Sequence, residues 1–119
     1  MKQSGPDHPI TISRSGRHVR VRFGGRIIAD TTRALELKEA SYPPVFYIPR
    51  ADADMTTLTM TNHHTHCPYK GDASYFSIAA GGRSAENAVW SYEAPFPAVA
   101  EIKEYLAFYP KKVDEIAVE

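Results

Sequence analysis

Residues 66–75 hold the densest group of side chains in this sequence that could take part in chemistry, including its only cysteine. His66 precedes Cys67, and Lys70 follows it at the end of a short polar run. The thiolate is the reactive form of cysteine, and positive charge on Lys70 or His66 would favour it. Cys67 is therefore the candidate catalytic residue of an enzyme that uses this thiol, or a nearby histidine, as nucleophile or base.

Two features favour a structural role for the cysteine instead. Successive side chains of a β-strand point to opposite faces, so His66 and Cys67 would not face one another in an extended run. A free cysteine is also commonly a small buried apolar side chain. Both interpretations of Cys67 stay open at this point.

Three histidines, His63, His64 and His66, lie next to the cysteine and form with it a cluster of metal-ligating side chains. Imidazole and sulfur suit zinc or copper. Zinc needs three or four well-placed ligands, however, and no second cluster of cysteine or histidine exists to complete such a set. We therefore predict no metal site and no cofactor.

Aromatic residues near this run outnumber what a small core requires. Tyrosine and tryptophan combine an apolar ring with a polar atom, so they line ligand pockets as well as cores. Cationic side chains beside them would balance a charged ligand. The set predicts a pocket for a small polar or anionic molecule, formed by Tyr47, Arg50, His66, Tyr69, Lys70, Tyr75, Trp90 and Tyr92. The alternative is that the rings fill the core while Arg50 and Lys70 are solvated.

Length and composition narrow the class of protein. A chain of 119 residues is long enough for one domain and too short for two. Fourteen basic residues balance fourteen acidic ones, which argues against nucleic acid or an anionic membrane as partner. With one cysteine and no apolar signal or membrane-spanning run, we expect a cytoplasmic protein. Polar residues 1–9 predict a flexible N-terminal tail ahead of a single domain over 10–119.

Alternating apolar residues predict β-strands in the first third of the chain. Residues 19–23 alternate between apolar and polar side chains, and 26–30 can return as a second strand. Gly24 and Gly25 can adopt the positive φ angles that the hairpin between them requires. Together with a strand at 10–12, this pattern predicts a β-meander.

Further strands are expected at 35–37, 45–48 and 87–92, and one short helix at 100–106, where the apolar residues share a helical face. Prolines at both ends of 45–48 suit an edge strand or a strand entered from a loop. The run 66–75 is expected to form a hairpin with residues 70–72 at its tip. The fold class predicted from these elements is mainly β, with at most one short helix.

Two short sequences occur twice. Gly-Gly-Arg is found at 24–26 and again at 81–83, and the Phe-Tyr-Ile-Pro of 46–49 is similar to the Phe-Tyr-Pro of 108–110. Two similar β units packed face to face would explain both repeats. The need of hairpins for glycine would explain the first repeat equally well.

Four motifs in the same order resemble a known family. They are YPPVFYIPR at 42–50, CPYKG at 67–71, NAVWSY at 87–92 and AFYP at 107–110. The family is catalogued as domain of unknown function 427, also labelled a nucleotidyltransferase-like domain, and the resemblance covers nearly everything from about residue 10 onward. Its members are small, mostly bacterial proteins without an established activity.

The resemblance implies a β-tent fold, in which two small antiparallel sheets pack at an angle. Related folds are methionine sulfoxide reductase B and the thalidomide-binding domain of cereblon, where an aromatic cage between the sheets holds a small ligand; this implies a comparable part for Trp90. Several relatives carry structural zinc on paired Cys-x-x-Cys motifs, which one cysteine cannot supply. The nucleotidyltransferase label finds no support, because Asp52 and Asp54 lack the Gly-Ser context of a two-metal site and are interpreted as loop residues.

Three hypotheses for function follow from these observations. The leading one is a small-molecule-binding domain with its pocket between the sheets. The second is an enzyme that uses Cys67 or a nearby histidine. The third is a structural or protein-interaction module, such as a homodimer that pairs through an exposed sheet edge.

Overall fold

The structure, a computed structural model, describes residues 5–119 and consists mainly of β-strands, as predicted. The helical segments of this range are short 3₁₀ turns at Arg50–Asp52, Met55–Thr57, Pro97–Ile102 and Pro110–Lys112. Its strands are β1 (Ile10–Arg14), β2 (Val19–Phe23), β3 (Arg26–Thr31), β4 (Leu35–Glu39), β5 (Val45–Tyr47), β6 (Leu58–Cys67), β7 (Gly71–Ala80), β8 (Arg83–Tyr92), β9 (Ala107–Phe108) and β10 (Glu115–Val118).

The described strands form three small antiparallel sheets. Their orders are β1-β4-β5, β10-β2-β3 and β6-β7-β8-β9. Strands β2 and β3, and β6 and β7, are hairpins, as predicted. Strands β7 and β8 form a third hairpin, whose turn contains the second glycine pair, Gly81 and Gly82. The predicted meander over the first third is wrong, because β1 pairs with β4, whereas β2 and β3 belong to a different sheet.

The junction between two of the sheets is held by one backbone pair. The Ile48 N–H donates to the Leu106 carbonyl at 2.7 Å, and the Leu106 N–H donates to the Ile48 carbonyl at 2.8 Å. This pair places β5 beside β9, two elements that are far apart in the sequence. Residues 45–48 and 106–110, on the two sides of this junction, are called the seam below.

The buried apolar side chains of the described residues form two clusters. The larger one is built on β2, β3, β7 and β8, where alternate residues such as Val19, Val21 and Ile78 are fully buried. The second lies around Leu37 and Ile102 and contains several buried tyrosines. Such rings add hydroxyl groups to an otherwise apolar interior, which distinguishes the second cluster from the first.

The turn between β6 and β7 differs from the predicted one. β6 ends at Cys67, which is opposite Gly71 at the start of β7, so residues 68–70 form the tip. The prediction placed the tip at 70–72. Pro68 has no N–H to donate to the ladder, and the Lys70 N–H closes the turn on the Cys67 carbonyl at 3.3 Å.

Two further expectations concern the ends of the chain. The short helix expected at 100–106 is a 3₁₀ segment that begins earlier, at Pro97, and ends at Ile102. Of the predicted N-terminal tail, His8 contacts the domain by stacking on the ring of Tyr69 with centroids 3.7 Å apart. Residues 1–4 lie outside the described residues, and the boundary between tail and domain stays a prediction.

In the part of the chain that is described, no helix has the length and apolar character needed to cross a membrane.

Candidate functional site

A cavity of about 230 Å³ opens where the end of β4, the turn between β6 and β7, and the seam come together. Five of the eight residues predicted to form a ligand pocket line it: Tyr47, Lys70, Tyr75, Trp90 and Tyr92. The remaining lining residues are Leu37, Glu39, Val45 and Tyr109. We call this space the polar cavity, because hydroxyl, indole, ammonium and carboxylate groups all face it.

A chain of charged and polar groups lies along one wall of the polar cavity. The Lys70 ammonium, on a side chain only 9% exposed, donates to one oxygen of the Glu39 carboxylate. The other oxygen of Glu39 is 2.7 Å from Nε2 of His8. Both carboxylate oxygens thus have partners, which a charge this far removed from water requires.

Two opposing influences act on the Glu39 carboxyl. Burial raises its pKa, but the hydrogen bonds and charges of Lys70 and His8 outweigh burial, so that the pKa is lower than usual. The ionised form is therefore the stable one at neutral pH. Because Lys70 and Glu39 carry opposite charges, the wall offers a ligand both a donor and an acceptor without a large net charge.

The lowered pKa of Glu39 predicts a pH-dependent contribution to stability. A carboxyl whose pKa is lowered by folding stabilises the fold above its unfolded pKa, about 4.5, and this contribution is lost as the pH falls through the folded value. We expect Glu39→Gln to lower the free energy of unfolding by about 1–3 kcal/mol at pH 7, and the difference from wild type to shrink by pH 3. Urea denaturation at both pH values measures it. A control is Glu101→Gln, since Glu101 is exposed and has no ion pair among the described residues; a Glu39→Gln difference that does not depend on pH would contradict the assignment.

Hydrogen bonds fix most of the aromatic side chains around the polar cavity. The Trp90 indole N–H donates to the Tyr47 hydroxyl at 3.2 Å. The hydroxyls of Tyr75 and Tyr109 are 3.3 Å apart, and Tyr75 also contacts the Thr65 hydroxyl at 2.9 Å. Burial raises the pKa of Tyr109 to about 12, with the hydrogen bond to Tyr75 adding to it, so this phenol is neutral at physiological pH. The rings are therefore held in place before any ligand arrives.

Tyr92 differs from the other tyrosines of the cavity. Its side chain is 5% exposed, yet its hydroxyl has no hydrogen-bond partner among the described residues. No fully buried side-chain oxygen or nitrogen in that range lacks a partner, so the Tyr92 hydroxyl oxygen keeps some access to solvent. Burial raises the pKa of Tyr92 far above its usual range. The cavity thus contains a neutral hydroxyl group that is free to donate or accept a hydrogen bond.

Three residues predicted for the pocket lie outside this cavity. Arg50 is directed elsewhere: its guanidinium pairs with Glu93 at 2.6 Å and donates to the Glu104 carbonyl at 2.7 Å. His66 is on the exposed face of β6, where Nδ1 is 2.6 Å from the Asp72 carboxylate. Tyr69 stacks on His8 beside the cavity without lining it.

Cys67 and the neighbouring histidines do not assemble into one centre. Cys67 is half-buried against the second apolar cluster, does not line the polar cavity, and is on the opposite face of β6 from His66. His63 instead contacts the ring of Tyr75, with centroids 4.6 Å apart. In residues 5–119, no three histidine, cysteine, aspartate or glutamate side chains are close enough to hold a metal ion.

The two aspartates of the Asp-x-Asp pair make local structural contacts. Asp52 accepts hydrogen bonds from Thr31 and Arg33. Asp54 accepts from the Thr56 N–H at the start of a 3₁₀ turn and pairs with Arg26 at 3.1 Å. The two carboxylates therefore bind different sets of protein groups.

Sequence reasoning missed four lining residues: Leu37, Glu39, Val45 and Tyr109. Leu37 and Glu39 alternate with outward residues on β4, and nothing in the local sequence distinguishes Glu39 from a solvated strand carboxylate. A signal for Tyr109 was present, since Phe-Tyr at 108–109 repeats Phe-Tyr at 46–47. Tyr47 and Tyr109 line the same cavity from the two sides of the seam.

One comparison with known proteins identifies a family. The family model described as "Domain of unknown function (DUF427)" matches residues 11–119. A comparison with curated proteins finds no match. The matched range includes every residue that lines the polar cavity.

Proposed function

The chain belongs to the DUF427 family, and we propose that its function is to bind a small polar molecule in the polar cavity. The observation that carries the proposal is the combination of a free Tyr92 hydroxyl and a buried Lys70–Glu39 pair inside one cavity of about 230 Å³. Binding sites are typically concave and mostly apolar, with a few convergent polar groups that fix the orientation of a ligand.

The groups that face the cavity define the ligand. Flat aromatic walls from Trp90, Tyr75 and Tyr109 suit a planar ring or amide. Lys70 can donate a hydrogen bond, Glu39 can accept one, and the Tyr92 hydroxyl can do either. Because Glu39 balances the charge of Lys70, a neutral or zwitterionic molecule with both donor and acceptor groups suits the wall better than a simple anion.

A screen for this ligand can use Trp90, the only tryptophan of the chain. The probes are benzamide, nicotinamide and uracil, which are planar and carry donor and acceptor groups, together with benzoate as the anionic counterpart of benzamide. We expect the neutral probes to change Trp90 fluorescence and raise the melting temperature more than benzoate does. No response to any of the planar neutral probes at millimolar concentration would count against the proposal.

Replacing Tyr92 by phenylalanine tests directly whether its hydroxyl takes part in binding. We expect the Kd of a responsive probe to rise about three- to tenfold, because one hydrogen bond of about 0.5–1.5 kcal/mol is lost. The free energy of unfolding should change by less than about 0.5 kcal/mol, because the hydroxyl has no partner to lose among residues 5–119. Isothermal titration and urea denaturation measure the two quantities.

The matched control is Tyr42→Phe, since Tyr42 is 66% exposed and does not line the cavity. That variant should bind the probe as the wild type does. Equal affinity of the Tyr92→Phe variant and the wild type would contradict a role for the Tyr92 hydroxyl in binding.

A further inference from the structure

A second cavity lies on the other side of the seam from the polar cavity. It has a volume of about 270 Å³ and is lined by apolar residues of β2, β10 and the seam, among them Val21, Phe46, Phe108 and Val118. No charged side chain of the described residues lines it. We call it the apolar cavity.

Strand alternation assigns the seam residues to the two cavities. Phe46 and Ile48 line the apolar cavity, whereas Tyr47 between them lines the polar one. Across the seam, Phe108 lines the apolar cavity and Tyr109 the polar one. Successive side chains of extended chain point to opposite faces, so the repeated Phe-Tyr sequence places a phenylalanine on one face and a tyrosine on the other.

The two cavities share part of their walls. Val45 and Trp90 line both of them, and both residues are only half-buried. The backbone pairing of the seam is confined to Ile48 and Leu106, and no backbone hydrogen bond among the described residues joins 45–47 to 107–110. The space between β5 and β9 is therefore filled by side chains and is not closed by hydrogen bonds between the two strands.

From this arrangement we infer that the two cavities form one composite site for an amphipathic small molecule. Its polar head lies against Lys70, Glu39 and Tyr92, and an alkyl or aryl tail extends past Trp90 into the apolar cavity. The inference rests on the proposed function and adds the chemical class of the ligand. It also explains why a half-buried tryptophan stands between a polar and an apolar space, since an indole has both a ring to pack on the tail and an N–H, bonded to Tyr47, on the polar side.

The test measures how affinity depends on tail length. The probes are benzamide and its 4-butyl, 4-hexyl and 4-octyl derivatives, titrated against the full chain with Trp90 fluorescence and calorimetry. If the tail enters the apolar cavity, each added methylene should tighten binding about three- to fourfold until the cavity is full.

Two variants locate the tail. Val118→Phe places a larger side chain in the apolar cavity, and we expect it to abolish the gain with tail length while benzamide itself binds as before. The matched control is Ala117→Phe, one residue earlier on the same strand, where the side chain points to the other face and does not line the cavity. Should the Val118→Phe variant not fold, Ile116→Trp fills the same cavity from the same strand.

The outcomes separate this inference from the proposal on which it rests. A gain with tail length that is lost in Val118→Phe, kept in Ala117→Phe and weakened throughout by Tyr92→Phe supports the composite site. Affinity that does not depend on tail length, or a gain that survives Val118→Phe, overturns the composite site and leaves the polar cavity as the binding site. Tail-dependent binding that Tyr92→Phe does not alter also overturns it, since the head would then lie elsewhere. Failure of benzamide and of every derivative to bind overturns the composite site, and failure of nicotinamide and uracil to bind as well overturns the proposed function with it.

Discussion

Replacing Gly81 by alanine is expected to lower the free energy of unfolding by about 3 kcal/mol, and the melting temperature by about 10 °C. Gly81 is at the tip of the β7–β8 hairpin with φ +61°, and a Cβ there would be 2.0 Å from the Gly24 carbonyl oxygen. Gly24 is at the tip of the β2–β3 hairpin, and a Cβ on it would be 2.2 Å from the Ala80 carbonyl oxygen. The atoms that a Cβ would meet belong to the backbone, which cannot rotate away as the end of a flexible side chain could.

The adjacent glycines are matched controls for this prediction. Gly82 has φ +74° and Gly25 has φ +77°, but a Cβ on either would meet nothing within 4 Å. Alanine at these positions should therefore cost only the strain of a left-handed backbone, about 1 kcal/mol. Urea denaturation of Gly81→Ala against Gly82→Ala, and of Gly24→Ala against Gly25→Ala, measures the difference. Equal losses within each pair would show that the hairpin tips do not pack against one another.

The contact between the tips also bears on the repeated Gly-Gly-Arg sequence. Both copies form hairpin turns, as glycine pairs in alternating sequence predict. What the sequence could not predict is that the two turns touch, and that Arg83 of one hairpin and the Gly24 N–H of the other both bind the Asp114 carboxylate. Local turn chemistry explains the glycines that adopt positive φ, while the contact between the tips explains why a Cβ on Gly24 or Gly81 would meet backbone atoms of the other hairpin.

Local patterns predicted most of the strands and their hairpin partners, but not the pairings between strands far apart in the sequence. The alternation of 19–23 and 35–39 is visible in the sequence because one face of each strand is buried. The pairing of β1 with β4, and of β2 with β10, joins segments separated by connections that carry no register information. The meander failed for that reason, since short connections make adjacent strands the natural expectation and tertiary packing decided otherwise.

The candidate site was predictable to the extent that residue type alone identifies it. Tyrosine, tryptophan and lysine near one hairpin indicated an aromatic and cationic wall, and five such residues do line the polar cavity. The charge of Arg50 makes it a candidate for the pocket, but its ion-pair partner Glu93 is 43 residues away in the sequence. This pair holds the guanidinium outside the polar cavity. Glu39 was omitted because its importance comes from Lys70, 31 residues away. Pairings of this kind arise only in the folded chain, where segments far apart in the sequence come together.

The repeat of Phe-Tyr has a clearer structural role than the repeat of glycines. Tyr47 and Tyr109 reach the polar cavity from opposite sides of the seam, and Phe46 and Phe108 reach the apolar cavity in the same way. Because successive side chains point to opposite faces, each copy of the dipeptide contributes a phenylalanine to the wall of the apolar cavity and a tyrosine to the wall of the polar cavity. Duplication of a β unit would produce such a pattern, and so would independent selection for the same two faces.

Replacing Lys70 by methionine should have the second large effect, a loss of about 3 kcal/mol in the free energy of unfolding at pH 7. Methionine fills similar space but leaves the Glu39 carboxylate, whose side chain is only 16% exposed, with His8 as its remaining partner. Removing one member of a buried ion pair costs more than removing both, because the surviving charge stays desolvated. Lys103→Met is the control, since Lys103 is exposed and has no ion pair among the described residues.

The double variant Glu39→Gln with Lys70→Met determines whether this loss comes from the pair itself. With neither charge present, we expect it to recover about 2 kcal/mol relative to Lys70→Met alone. A double-mutant cycle in urea, which also takes in the loss expected for Glu39→Gln, measures the coupling between the two side chains. The coupling should shrink as the pH falls from about 4.5 through the lower pKa of Glu39 in the folded protein, because protonation of Glu39 removes the charge that Lys70 balances. Additive losses at pH 7 would mean that the two side chains act independently. A double variant that folds but no longer binds benzamide would assign Lys70 and Glu39 to ligand recognition as well, because the aromatic walls and the Tyr92 hydroxyl remain in place without them.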